Sequence, residues 1–524
     1  LSKADTTNTL DGAESQQEDL AALAKGGRIN VLGFLLRLGA RIPFLLVAGR
    51  LYGADNLGRF ALAVLVVEFA AQVATLGLKR GLAEQLSARD RPDNHIVYDA
   101  LLLTLIASTV VCTGLISFPA AMFPNSQING LDRLLPLIIF AIAIADVALA
   151  ACAYRYDIGA TVRARSIVEP WAISIAATGL YFYSARDGLI LAYVTSMLAA
   201  FIASILPLFR HFGMPGKGWQ PHPIRLWAMT RRNLPLAAAD AIEWGTRRLD
   251  LWILGFFVSP TAAGIYYVAQ QFSSLPQKLK TSFEPILGPI ISRNVVERKY
   301  RAVAEHVSQV GFWIIAAQVG IALAIGIPGA AVMGVLGPQF VAGTGALVFL
   351  LIAEATSAPS VVSEAALVYL ARGRNLWLSI ATIVLQGMLS LIFVLAARNL
   401  AMPEMWIAAC PALALAIALA AGSWIKSRAL SNIVKAPVTA WRPSLFLAGG
   451  LAGAAGAAFT ALPKSMEWAE LTIGIPVILL SYSFIIWRFG FGPADRELFR
   501  RGANMPAVPS EYTAPSYQPG QGKT

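Results

Sequence analysis

Charge is scarce in this 524-residue chain. Asp, Glu, Lys and Arg make up 14% of it, against 56% hydrophobic residues and a mean hydropathy of +0.61. That balance excludes an ordinary soluble domain and indicates a polytopic membrane protein. Only three cysteines occur, Cys112, Cys152 and Cys410, each inside an apolar run, so neither a disulfide framework nor a metal site follows from them. Histidine is as rare, at four residues, none deep in an apolar segment. The chain has no Walker A pattern, no HExxH, no CxxC and no GxSxG. No catalytic residue, cofactor or metal is therefore expected, and nothing here points to ATP hydrolysis. No cleavable signal peptide is visible in residues 1–28, which are polar, so the first span is expected to act as the insertion signal.

What is present is a series of apolar segments, at about 29–52, 57–78, 97–121, 132–154, 166–184, 188–209, 234–258, 262–291, 306–335, 341–370, 376–397, 403–425, 444–462 and 470–490. Their length and hydropathy predict an all-α polytopic membrane protein of about fourteen transmembrane helices. The expected organisation is a cytoplasmic tail (1–28), a first six-helix bundle (29–209), a linker (210–233) and a second six-helix bundle (234–427). Two extra C-terminal helices (428–490) and a Pro/Ser/Tyr/Gly-rich tail (491–524), expected to be disordered, complete it.

The loops between these segments alternate in charge. Lys79, Arg80, Arg155, Arg210, Arg231, Arg298, Arg372, Lys426 and their neighbours bring about 22 basic residues to one side, against about 5, including Arg59 and Arg186, on the other. The basic side is thus expected to be cytoplasmic, with both termini inside. The formal net charge of +12 then reflects loops and a cavity, with no nucleic-acid partner implied. Loops on the opposite side, such as GADN, SPTAA and ARDG, are short. They leave no room for the catalytic residues of a lipid-linked glycosyltransferase or a polysaccharide polymerase.

The stretch 233–293 breaks the apolar rule. It reads as two spanning helices joined by Ser259-Pro260-Thr261, yet it carries Asp240, Glu243, Arg247, Arg248, Asp250, Lys278, Lys280 and Glu284. At a rise of ~1.5 Å per residue, Arg247 and Arg248 lie ~20 Å inside an entry at Leu234, past mid-bilayer. One Lys or Arg at a span centre costs about 2.5–3.5 kcal/mol. Four facing lipid would cost on the order of 10 kcal/mol, as much as the whole stability of a domain. They must be paired or face a wet cavity. Asp240, Glu243, Arg247 and Asp250 recur at i, i+3, i+7, i+10, and Tyr267, Gln271, Ser274, Lys278 and Thr281 share one face of the next helix. Two polar stripes lining one interior account for both, although Glu243–Arg247 alone could equally be an intrahelical ion pair. Arg37 and Arg41 form a similar i, i+4 pair in the first span, whereas Arg50, near its outer end, is expected to snorkel.

The excess of cations over carboxylates in these stripes fits an anionic substrate, since Arg forks match phosphate and carboxylate oxygens. Gln72, Gln271, Tyr267 and Trp244 add surfaces suited to sugars. A shift of about 206 positions places Arg41 on Arg247, Gly49 on Gly255, Gly58 on Gly264, Phe60 on Tyr266 and Ala63 on Ala269, an internal repeat one bundle long.

Residues 49–87, GRLYGADNLGRFALAVLVVEFAAQVATLGLKRGLAEQLS, resemble the opening of oligosaccharide flippases of the multidrug/oligosaccharidyl-lipid/polysaccharide exporter superfamily. Residues 234–292 are similar to the opening of their second lobe: a proline after the entry, ILG after Asp250, a G-x-Y turn and a proline before the inner end. The resemblance implies two six-helix bundles around a central cationic cavity, working by alternating access in the bacterial inner membrane. The substrate it implies is a polyprenyl-diphosphate-linked oligosaccharide. Arg37, Arg41, Arg247, Arg248, Lys278 and Lys280, with Gln271 and Tyr267, would bind it, while Asp240, Glu243 and Asp250 would serve charge pairing or coupling. Membrane lipid, a polysaccharide polymerase and glycosyltransferases are the implied partners. The lipid II flippase branch, with its two extra C-terminal helices, and a multidrug or organic-cation antiporter are the alternatives.

Overall fold

The computed structural model describes residues 39, 42–88, 91–215, 218–463, 466–492 and 495; for 277–290, 292, 293 and 296 it describes the backbone alone. These residues fall almost wholly within one compact unit, Leu36–Gly490, and among them there is no strand. The longer helices are α1 (Gly53–Ala74), α2 (Leu78–Ser87), α3 (Asp93–Ser117), α4 (Ile138–Tyr154), α5 (Glu169–Tyr181), α6 (Gly188–Phe212) and α7 (Pro223–Gly255). They continue as α8 (Pro260–Val296), α9 (Tyr300–Gly326), α10 (Thr344–Leu370), α11 (Arg372–Asn399), α12 (Glu404–Val434), α13 (Pro443–Thr460) and α14 (Ile475–Ile485).

Ten helical stretches among the described residues are long and apolar enough to cross a membrane. The protein is an all-α, multi-pass membrane protein. Helices α7 and α8, at 33 and 37 residues, have ample length but carry the charged stretch. Helix α5 continues a π-helical segment, Val162–Val168, that holds Arg163 and Arg165. Helix α7 begins at Pro223, about ten residues before the expected span, because proline at the first helical position needs no N–H partner there. The connector leading to it is held by its tryptophan. Trp219 Nε1 donates to Asp99 Oδ1 at 3.0 Å and its ring packs on Tyr98 at 5.7 Å between centroids.

Helices α1 and α8 cross at glycine. A Cβ on Gly58 would overlap the carbonyl oxygen of Pro260, and one on Gly264 would overlap that of Ala54. The 206-residue shift exchanges these two contacts, since it carries 54 to 260 and 58 to 264. It also relates Asp55 to Thr261, whose hydroxyl donates to the Asp55 carboxylate at 3.2 Å. The repeat read from the sequence thus meets itself face to face, with small residues letting the backbones approach. Around the crossing a single apolar cluster runs from Leu57, Ala61 and Leu65 through Leu254 and Tyr266 to Leu347 and Ala412. A second, formed by α2, α3, α4, α6 and Met229, lies toward the basic-loop face.

Several side chains tie the short-loop face together. Arg50, expected to snorkel, is exposed and donates from Nε and Nη2 to Val335 O at 3.1 and 2.8 Å, a carbonyl at the end of a short helical turn within its reach. Asn125 Nδ2 bonds the carbonyls of Gly255 and Val258 at 2.8 and 2.9 Å. Two cations assigned to loops prove to be buried in helices. Arg59 is 4% exposed, pairing with Asp132 and, at 3.1 Å, with Asp187. Lys426 is 6% exposed, bonding Glu364 at 2.8 Å and Ser379 Oγ at 2.9 Å. The loop assignment failed because long apolar stems carry such charges one or two turns back into the fold.

Replacing Gly58 or Gly264 with leucine is expected to lower stability by about 1–3 kcal/mol, the cost of overpacking a tight contact. Thermal unfolding of the purified variants in detergent measures it. The double variant is expected to lose less than the sum, since both changes disrupt one contact.

Candidate functional site

Part of the charged stretch faces a partly open cavity of about 270 Å³ lined by α1, α2 and α7. Helix α1 supplies Glu68 and Gln72, one turn apart. Helix α7 supplies Asp240, Glu243, Trp244, Arg247 and Arg248, which share a face by their three- and four-residue spacing. Lys79 and Arg80 come from the first turn of α2. What folds α2 back over the cavity is Gly77. It precedes α2 at φ +73°, a left-handed conformation that side chains rarely adopt, and a Cβ there would lie 2.6 Å from the backbone nitrogen of Ala237 on α7.

Arg80 is the centre of the ionic network. Its Nε lies 2.6 Å from Asp240 Oδ1 and its Nη2 lies 2.6 Å from Glu243 Oε2. Gln72 Nε2 donates to the second Asp240 oxygen at 3.1 Å, and Arg247 Nη2 to the second Glu243 oxygen at 3.1 Å. The intrahelical Glu243–Arg247 pair therefore exists, but as one arm of a wider network. Arg248 forms no ion pair among the described residues, and Lys79 Nζ lies 3.9 Å from Asp146. The lining thus holds four cations and three carboxylates.

Asp240 is nearly dry, its side chain 4% exposed, whereas the Arg80 and Glu243 side chains are about half exposed. Ion pairs that wet contribute about 0–1 kcal/mol each. A further exposed pair, Arg232–Glu84 at 2.7 Å, sits where α7 and α2 meet at the basic-loop face. There a Cβ on Gly81 would collide with the Asn233 side-chain amide oxygen. Trp244 lies against Phe69 with ring centroids 4.6 Å apart, which places an aromatic face beside the charged groups.

Four of the expected site residues therefore meet in one place: Arg247, Arg248, Asp240 and Glu243. Arg37 and Arg41 lie outside the described residues. Lys278 and Lys280 stand on the backbone of α8, with their side chains outside the described residues. Tyr267 and Gln271 are buried, at 8% and 6% exposure, and neither lines the cavity. Tyr267 packs edge-on to Phe60 within the core. Asp250 is also apart. It returns to the Glu243 face two turns on, but ~10 Å further toward the short-loop end, where the core has closed. There it is fully buried, accepting a hydrogen bond from Tyr266 OH and contacts at 3.3 Å from Gln270 Nε2. Lys79 and Arg80 went unrecognised because they sit at the end of a span, where basic residues ordinarily mark a loop. The flanking glycines, Gly77 and Gly81, were the available sign that the chain turns back.

A family model described as "polysaccharide biosynthesis protein" matches residues 47–328, more than half of the chain. No match was found among curated proteins. Among solved structures, a lipid II flippase MurJ in an inward closed conformation is similar over 90% of this chain and 100% of its own, at 14% identity and a TM-score of 0.70. An inward-facing multidrug resistance MATE family transporter of the MOP superfamily is similar over 76% of this chain and 99% of its own, at 14% identity and a TM-score of 0.57. A MOP superfamily transporter from Pyrococcus furiosus is similar over 80% of this chain and 96% of its own, at 14% identity and a TM-score of 0.50. The chain belongs to the polysaccharide biosynthesis protein family and is built on the fold of the MOP superfamily transporters.

Proposed function

We propose that this protein is a flippase that turns a polyprenyl-diphosphate-linked oligosaccharide across the bacterial inner membrane by alternating access. The observation that carries the reading is a cavity with more cations than carboxylates, set between charged helices of a transporter fold. Cations lining a membrane cavity attract anions, and a diphosphate offers two groups of oxygens to adjacent Arg forks. Arg247 and Arg248 hold the diphosphate in this reading, with Arg37, Arg41, Lys278 and Lys280 supplying further positive charge. Asp240 and Glu243 orient those cations, and Trp244 offers a stacking face to sugar. The basic-loop face is cytoplasmic, where glycosyltransferases assemble the substrate, and a polymerase receives it on the other side.

At about 270 Å³ the cavity is just below the ~300–1,000 Å³ typical of small-molecule sites, room for a diphosphate but not for several sugars. A second reading, lipid II as the cargo, is favoured by one observation. The lipid II flippase match spans 90% of this chain, where the MATE transporter match spans 76%.

Arg247→Gln and Arg248→Gln are each expected to slow translocation in proteoliposomes by about 10–100-fold, the loss of a charge-assisted hydrogen bond. Protein amount and thermal stability should stay near the parent's. Unchanged flipping in both variants would remove the cavity from the substrate path. Offering lipid II and a longer lipid-linked oligosaccharide side by side separates the two cargoes, with the oligosaccharide expected to move faster. Efflux of organic cations with no flipping of either lipid would reassign the protein as a drug antiporter.

A further inference from the structure

Arg80 holds two carboxylates at once, and those two carboxylates belong to a different helix. Its guanidinium spans Asp240 and Glu243 on α7 from the first turn of α2, with both contacts at 2.6 Å. This contact and Arg232–Glu84 lie on a packed meeting of α2 with α7 at the basic-loop face, where Gly77 approaches Ala237, Gly81 approaches Asn233, and Leu78, Leu82 and Leu86 share a cluster with Met229. Yet Arg80 is half exposed and lines the cavity, so an anion inside can reach it without displacing a packed side chain. On the opposite face, backbone meets backbone at Gly58 and Gly264, and Asn125 and Arg50 donate to carbonyls. Arg59, which holds Asp132 and Asp187 there, is buried, so an arriving anion cannot reach it as it reaches Arg80.

We infer that Arg80 is a further substrate-binding residue, and that it transfers from Asp240 and Glu243 to the anionic headgroup, so that anion arrival itself releases the closure between α2 and α7. The inference rests on the reading of the cavity as a diphosphate site. The physical reason is the burial of Asp240. A diphosphate accepts the same bidentate fork that the two carboxylates accept. Once Arg80 has turned to it, Asp240 keeps Gln72 as its hydrogen-bond partner and only the more distant charge of Lys79, while almost fully buried. A buried carboxylate without its cation is strongly unfavourable, and the nearest relief is water, admitted when α7 moves off α2. Glu243 keeps Arg247 and needs no such relief.

The test uses the full chain in lipid nanodiscs, with Glu84→Cys and Arg232→Cys as the reporter pair. Both positions are exposed and in contact, one on each helix, so the yield of a short bis-maleimide cross-link reads closure. Inorganic pyrophosphate is the probe, sodium chloride at matched ionic strength is the control, and calorimetry on the same samples reads binding. Pyrophosphate is expected to bind and to lower the cross-link yield about fivefold or more, the lower range of a coupling between two sites, while chloride does not. Arg80→Gln is expected to cross-link weakly throughout and to ignore pyrophosphate. Arg80→Lys, which keeps the charge but not the fork, is expected to respond in part. Binding without loss of cross-linking, or a full response in Arg80→Gln, overturns the exchange and leaves the flippase reading standing. Absence of pyrophosphate binding overturns the diphosphate reading, and the exchange falls with it.

Discussion

A charge inside an apolar fold survives only beside its counter-charge or beside water, and that constraint sorts the ionised groups of this protein. Arg59 with Asp132 and Asp187, Arg165 with Asp146 and with Glu169 four residues on, and Lys426 with Glu364 each combine a cation with one or two carboxylates, at least one of them on another element. Each is local, and each ties helices together where little water reaches one partner. The set around Arg80 differs. It is half wet, shared among four charged side chains on two helices, and set in a cavity lined by four cations and three carboxylates. Structural charge is neutralised where it stands, while the charge of the cavity is held open for something else.

The glycine crossing complements this arrangement. A contact that is exchanged with itself by a 206-residue shift is the simplest way for two related halves to meet, because each surface need only be complementary to its own copy. Asp55 and Thr261 show where the copies have parted: one position became an acceptor and its equivalent a donor, so the hydrogen bond between them exists only because the repeat is imperfect.

Much of the fold was legible because hydrophobic length is a strong signal in a membrane chain. All fourteen apolar segments are built on helix over their described residues. The charged stretch was legible for the converse reason, that Asp240, Glu243, Arg247 and Arg248 are too costly for lipid. Depth along a helix was not legible. Asp250 has the right periodicity for the cavity but lies beyond its end, and Tyr267 and Gln271 are buried away from it, Tyr267 against Phe60. Lys79 and Arg80 escaped notice because basic residues at the end of a span describe a loop equally well. The left-handed backbone at Leu76 and Gly77, packed against α7, returns them to the interior.

The anchoring of Trp219 on Asp99 limits how α7 can travel. Between that hydrogen bond and Pro223 only residues 220–222 are free, and three residues reach at most ~11 Å when fully extended. The start of α7 is therefore tethered beside α3, so a tilt of the helix would turn about Pro223. Arg247 stands 24 residues along it, a distance of ~36 Å. Each roughly 10° of tilt about that fulcrum carries the arginine by ~6 Å, more than one helical turn, while its base hardly shifts. A three-residue tether at the start of α7 would thereby convert a small rotation there into a large displacement of Arg247.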